Sequence, residues 1–221
     1  MRIQAPVQAD PVRSVQLTLL SLAGALLLAL AAWSASEPGI GAWLAFDRAR
    51  VANGEWWRLL TGFIAHWTPL HAVANALGIA GFGWLIARHE GFKIVVALML
   101  LSLVLQLPSL FALENETGRG AEYRGASGFL YTLAVFAWLH SMRSGRWRAL
   151  MGLIAVAAIA HLATDISGLS ASPLLPAGVS TAWPVHVAGM ASGLLCFAVL
   201  RFSARVDQFV NSRDRKATGV A

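Results

Sequence analysis

The chain's 221 residues are 57% hydrophobic and only 13% charged, with a formal net charge of +6 and a mean hydropathy of +0.62. A soluble domain carries about a quarter charged residues, so this composition excludes one and identifies an integral membrane protein. The one cysteine, Cys196, falls in the middle of an apolar run, which excludes a disulfide or a cysteine-based metal site and makes it a small packing residue.

Crossing the hydrocarbon core takes roughly 20 apolar residues per helix. Six stretches qualify, at about 15–35, 69–87, 92–112, 126–142, 147–166 and 184–202. The expected fold is therefore an all-α membrane bundle of six transmembrane helices over 15–202, with an N-terminal tail at 1–14 and a basic C-terminal tail at 203–221. Arg2 and Arg13 precede the first stretch and Ala-Trp-Ser-Ala-Ser follows it, as in a secretory signal. The apolar run is too long for that, since signal h-regions span about 7 to 15 residues, and an uncleaved helix is expected.

Basic residues orient the bundle. With the N-terminus inside, 12 of the 17 Lys and Arg residues are cytoplasmic, and outside remain Arg48, Arg50, Arg58, Arg119 and Arg124. The segment from Ile166 to Trp183 has no Lys or Arg, which agrees with the positive-inside rule. Both termini are expected in the cytoplasm, with the protein multi-pass in the inner (cytoplasmic) membrane. The positive charge then serves orientation and contact with anionic lipid of the bilayer, and no nucleic-acid partner is expected. Trp33, Trp67 and Trp183 flank outer helix ends, and Trp84, Trp138 and Trp147 flank inner ones.

In this topology the second, fourth and sixth helices all enter from outside, so their first turns share one depth. Each first turn is polar: His66-Trp-Thr-Pro-Leu-His71-Ala-Val-Ala-Asn75, then Gly125-Ala-Ser127-Gly128, then Trp183-Pro-Val-His186-Val-Ala-Gly189. His161, near the end of the fifth helix, is the main ionisable group elsewhere in the spans. Taken singly, Ser127 reads as a small packing residue and His186 as an interfacial one, while His71 and Asn75 at i and i+4 share a face that an interhelical hydrogen bond would explain. Together, at one depth in a bilayer where polar groups are expensive, they mark a functional site.

The chemistry that unites them is nucleophilic acyl transfer. A serine hydroxyl needs a base to take its proton, and Ser127 with His186 supplies that pair. The tetrahedral intermediate needs oxyanion donors, for which His71, Asn75 and the Ser127 backbone N–H are candidates. Gly125 and Gly128 would let backbone approach on either side of the nucleophile, and Gly189 and Gly193 would let the sixth helix close on the fourth. Asp165 lies at the outer end of the fifth helix, apart from these helix starts, so a Ser-His dyad without a carboxylate is expected. No metal or cofactor is called for.

These residues resemble the rhomboid intramembrane serine proteases, in their six-helix core form, over nearly the whole chain. The resemblance rests on Trp57-Arg58, His66, His71 and Asn75 as H-x-x-x-N, Gly125-Ala-Ser127-Gly128 as G-x-S-G, Tyr131, and His186-Val-Ala-Gly189 followed by Gly193. It implies Ser127 as nucleophile, His186 as base, His71 and Asn75 as oxyanion groups, Tyr131 beside the base, and Trp57-Arg58 in a loop lying partly in the membrane. The phrases EWWRLLTGFIAHW and EYRGASGF look like the rhombosortases, a bacterial subfamily thought to process exported proteins with a C-terminal Gly-Gly motif, one membrane helix and a basic tail. One departure is the turn IARHEGFKI, which lacks a glutamate at the position where many rhomboids carry one.

Two alternatives stand beside this reading: a small membrane transporter whose polar cluster binds its substrate, and a catalytically inactive scaffold of rhomboid shape. Transporters commonly show internal repeats and ionisable pairs at the midplane, and neither is visible in the sequence. For a protease, the buried site makes the substrate a single-pass transmembrane protein with its C-terminus inside, cut near its outer boundary beside small residues that let the helix unwind. The oligomeric state is left open by the sequence.

Overall fold

The computed structural model describes residues 27–113, 122–144, 147–169 and 172–218. The expected N-terminal tail, the start of the first span, Arg119 and Arg146 lie outside them. Helix α1 (Leu27–Ser36) leads into a folded connection made of α2 (Pro38–Leu44), β1 (Phe46–Asp47), α3 (Arg48–Ala52) and α4 (Arg58–Thr61). The long helices follow: α5 (Pro69–Glu90), α6 (Phe92–Phe111), α7 (Ser127–Ser144), α8 (Arg148–Ile166) and α9 (Trp183–Thr218), with β2 (Glu122–Tyr123) just before α7. Among the described residues α5, α6, α8 and the Trp183–Ser203 part of α9 are long and apolar enough to cross a membrane, and the chain is a multi-pass membrane protein.

Local chemistry sets the helix ends. Thr68 caps α5, its hydroxyl accepting from the His71 N–H at 3.1 Å, and Pro69 occupies the first helical position, where a missing N–H costs nothing. Gly91, at φ 90°, turns α5 directly into α6, a conformation that a side chain would disfavour. The α9 helix runs past the apolar stretch to Thr218, well into what the sequence reads as a tail, because residues 203–218 contain no Gly or Pro to stop it.

Helix α7 is the centre of the bundle. It has 18 residues, so it is about 27 Å long at 1.5 Å per residue, and every described side chain from Tyr123 to Met142 is buried or half-buried. A helix shielded from lipid on all sides can carry polar groups that its neighbours cannot, which is why Ser127, Thr132 and Ser141 are tolerated there. Apolar packing falls into two clusters. One joins Leu85, Ile86, Leu98, Leu133, Phe136 and Cys196 from α5, α6, α7 and α9. The other joins the connection to the helices through Phe46, Phe63, Leu110, Tyr123, Phe129 and Val185.

The connection between α1 and α5 is pinned rather than loose. Arg58 is wholly buried and donates to the carbonyls of Ala42 and Ala45 at 2.7 Å each and to Glu55 at 2.6 Å, so its charge is compensated where it sits. Trp57 beside it is exposed. The antiparallel pair β1–β2 sets Phe46 opposite Tyr123 and Asp47 opposite Glu122, and the Gly125 N–H donates to Gly62 O at 3.0 Å. Both contacts fix the path of the chain into α7. At the opposite end of the bundle Glu90 receives Arg201 at 2.7 Å and lies 2.9 Å from His140, so the glutamate of the α5–α6 turn ties α5 to α7 and α9 from its own position.

Candidate active site

Ser127 is the first residue of α7, and three residues separate it from β2. Gly125 has φ +142°, and a Cβ there would stand 2.8 Å from His71 Cε1 and 3.2 Å from its Nε2. Glycine is required both by the backbone angle and by the approach of the α5 imidazole. The first helical hydrogen bond of α7 is Leu130 N–H to Ala126 O at 3.1 Å, so the N–H groups of Ser127 and Gly128 belong to the open first turn, where a helix offers donors to an anion.

The seam between α7 and α9 brings His186 to Ser127. A Cβ on Gly128 would run into the Gln106 amide oxygen, and one on Gly189 would run into the Gly128 carbonyl and stand 3.2 Å from Gly128 Cα. A Cβ on Gly193 would stand 2.6 Å from Thr132 O. The backbones of the two helices are therefore in direct contact, with the Thr132 hydroxyl 2.9 Å from the Gly189 carbonyl. Across that seam Ser127 Oγ lies 2.8 Å from His186 Nε2. Tyr131, one turn after the serine, stacks against the imidazole with ring centroids 4.6 Å apart. His186 is 6% exposed.

On the α5 side His71 and Asn75 are both buried. Asn75 Nδ2 donates to His66 Nε2 at 3.1 Å, while His66 Nδ1 lies 2.7 Å from Ile64 O. Only the neutral ring protonated on Nδ1 satisfies both bonds, and burial, with the Ile64 bond opposing it, holds the pKa of His66 below the ordinary histidine value. His66 thus orients the amide of Asn75 and also meets the His71 ring edge-on, centroids 4.9 Å apart. Ser127, His186, His71 and Asn75 line one cavity of about 330 Å³, with α5 residues such as Gly78 and Phe82 on one wall and Ile154, Ala158 and His161 of α8 on the other. The segment after α8 closes it above through Leu174, whose carbonyl accepts from the Thr68 hydroxyl at 2.8 Å.

The family model for the Rhomboid domain matches residues 53–202, two-thirds of the chain. The chain belongs to the rhomboid family. Rhomboids are intramembrane serine proteases, and the matched span runs from the α3–α4 turn to the end of the apolar part of α9, so it contains every residue of the cavity described above.

One expectation about this rhomboid is corrected. Asp165 does not lie apart from the three helix starts: its Oδ2 is 3.6 Å from His186 Nδ1 and its Oδ1 is 3.7 Å from His161 Nδ1. The reason is topological: α8 runs opposite to α9, so the last turn of one is level with the first turn of the other. Sequence reasoning also missed the polar chain Gln106–Ser102–Thr132, in which Gln106 bonds Ser102 and Ser102 lies 2.7 Å from Thr132. Gln106 and Ser102 stand four apart on one face of α6, the same i, i+4 signal that singled out His71 and Asn75.

Proposed function

We propose that this rhomboid is an intramembrane serine endopeptidase in which Ser127 is the nucleophile and His186 its general base. The 2.8 Å contact from Ser127 Oγ to His186 Nε2 inside a walled cavity is the observation that carries the reading. Nε2 takes the hydroxyl proton as Oγ attacks a peptide carbonyl, and returns it to the leaving amine when the C–N bond breaks. The acyl-enzyme is then hydrolysed by water that the same base deprotonates. The oxyanion falls to the Ser127 N–H, with His71 and the second amide proton of Asn75 as side-chain donors, each worth roughly 100-fold to 1000-fold.

The substrate is a single-pass membrane protein cut near its outer boundary. The cavity lies between α5 and α8, so a peptide enters from the side between those helices, at the depth of the first turns of α5, α7 and α9. A scissile bond in an intact helix is shielded, and small or helix-breaking residues let it open. We place six spans in the inner membrane with both termini cytoplasmic, as the distribution of basic residues favours. The segments at 55–67 and 122–129, similar to those of rhombosortases, put the substrate among exported proteins bearing a C-terminal Gly-Gly segment.

The test is fluorophosphonate labelling and cleavage of such a single-pass substrate in liposomes. Wild type labels and cleaves. Ser127→Ala does neither, His186→Ala cleaves at background, and the double variant is no worse than either single one, because nucleophile and base act as a unit. Labelling of Ser127→Ala, or full cleavage by His186→Ala at neutral pH, overturns the assignment.

A further inference from the structure

We propose that Asp165 is a positioning residue for the catalytic histidine, so that this site works as a triad assembled from three helices, α7, α9 and α8. The inference rests on the assignment of Ser127 and His186 above.

A carboxylate in a membrane span is costly unless something compensates it. The Asp165 side chain has no exposed surface. Its two oxygens face two imidazoles, His186 Nδ1 at 3.6 Å from Oδ2 and His161 Nδ1 at 3.7 Å from Oδ1, the latter one helical turn earlier on α8. His186 Nδ1 is itself buried and makes no hydrogen bond among the described residues, while its Nε2 is engaged by Ser127. Among the described residues the nitrogen opposite the reacting one therefore faces a carboxylate at 3.6 Å and has no acceptor within bonding distance.

That arrangement decides a tautomer. For Nε2 to accept the serine proton it must be unprotonated, so the neutral ring must carry its hydrogen on Nδ1, and a carboxylate facing Nδ1 favours that form. When the proton moves from Oγ to Nε2 the ring becomes a cation. Asp165 stays ionised and stabilises that cation, and no proton passes to it. The distance exceeds a hydrogen bond by about half an ångström, and catalytic hydrogen bonds in empty sites are often long and tighten when substrate is bound.

Asp165 sits in the last turn of α8, whose side wall lines the cavity, so a peptide lodged there presses on the element that carries the carboxylate. The other titratable groups around His186 are His71 on α5, Tyr131 and the serine on α7, and His161 on α8. Glu122 and Arg124 at the cavity mouth pair with one another at 2.8 Å. Asp165 is the carboxylate that the structure sets against the base.

The test is steady-state cleavage against pH with the full-length protein in liposomes, comparing wild type, Asp165→Asn and Asp165→Glu, each first checked for folding by thermal denaturation in detergent. Asp165→Asn is expected to lower kcat about 100-fold with KM within about 2-fold, because it removes an interaction made with the transition-state imidazolium. Its acidic limb in kcat/KM should move down by about one pH unit or more, since the cationic ring has lost its partner. Asp165→Glu restores the charge and should recover at least about 10-fold of the loss together with the position of the limb. A folded Asp165→Asn with wild-type kcat and an unmoved limb overturns the proposal while leaving Ser127 and His186 in place. Equal impairment of both variants with an unmoved limb assigns Asp165 to structure alone. Activity in Ser127→Ala within the same series removes the dyad itself, and the inference falls with it. Should Asp165→Asn fail the folding check, Asp165→Ser, which also removes the charge, takes its place: a lowered kcat with the acidic limb displaced downward supports the proposal, and wild-type kcat with an unmoved limb overturns it.

Discussion

Helices α8 and α9 both reach the cavity that holds Ser127, and they are held in opposite ways. On α9, Gly189 and Gly193 sit against backbone of α7, and the buried residues Val185, His186, Ser192 and Cys196 follow one face. On α8, Gly152 has nothing within 4 Å of where a Cβ would stand, and only Met151 and Asp165 are buried. Leu153, Val156 and Ile159 are 67%, 65% and 59% exposed, and a second, almost wholly apolar cavity of about 180 Å³ separates α8 from α7 and α9 beside Tyr131 and Met190. The same residue type is a seam on one helix and a lipid-facing gap on the other. The difference teaches that the serine–histidine distance is set by close-packed backbone, whereas the carboxylate reaches the His186 ring on a helix with room to move.

The strongest way to break this contrast is to force the seam apart. Gly189→Val puts branched carbon where the Gly128 carbonyl already is, so neither helix can keep its place. Folded protein and fluorophosphonate labelling are expected to be lost together, read by thermal denaturation in detergent. Retention of both would mean that the glycine contact is not what positions His186.

A smaller effect is expected from the α5 wall, which supplies donors and leaves the seam intact. His71→Ala and Asn75→Ala should lower turnover by roughly 10-fold to 1000-fold while the labelled band persists. His66→Ala should lower turnover through Asn75, because it removes the acceptor that orients the amide. Full rates in both His71→Ala and Asn75→Ala would leave the backbone N–H groups of the α7 first turn to stabilise the oxyanion without help.

The smallest effect sharpens the description of α8. Leu153→Ala on its outer face trims a side chain that is 67% exposed and should change unfolding free energy by no more than about 0.5 kcal/mol, with cleavage within about 2-fold. A loss of several kcal/mol would show that this face packs against something other than lipid.

Much of this molecule is legible without coordinates because a bilayer leaves the backbone few choices. A run of about 20 apolar residues must be a helix, which fixed the α5, α6 and α8 ranges to within a few residues and brought His71, Asn75, Ser127 and His186 to one depth. Polar side chains in such runs are expensive enough to advertise a site, and the glycines around Ser127 and in α9 are visible as close-approach positions before any approach is seen. Depth, however, is one coordinate of three. That His186 Nε2 meets Ser127 Oγ, that His66 spends its ring on Asn75, and that Gln106 and Ser102 brace Thr132 depend on how the helices are rotated about their axes, and the apolar pattern of a helix surrounded by lipid and protein alike does not encode rotation sharply. The position of Asp165 is not legible in the sequence for a related reason: one helix's last turn and the next one's first turn are neighbours only because the chain reverses between them, and lateral packing, set by the glycine seam and the gap beside α8, decides that the carboxylate faces His186.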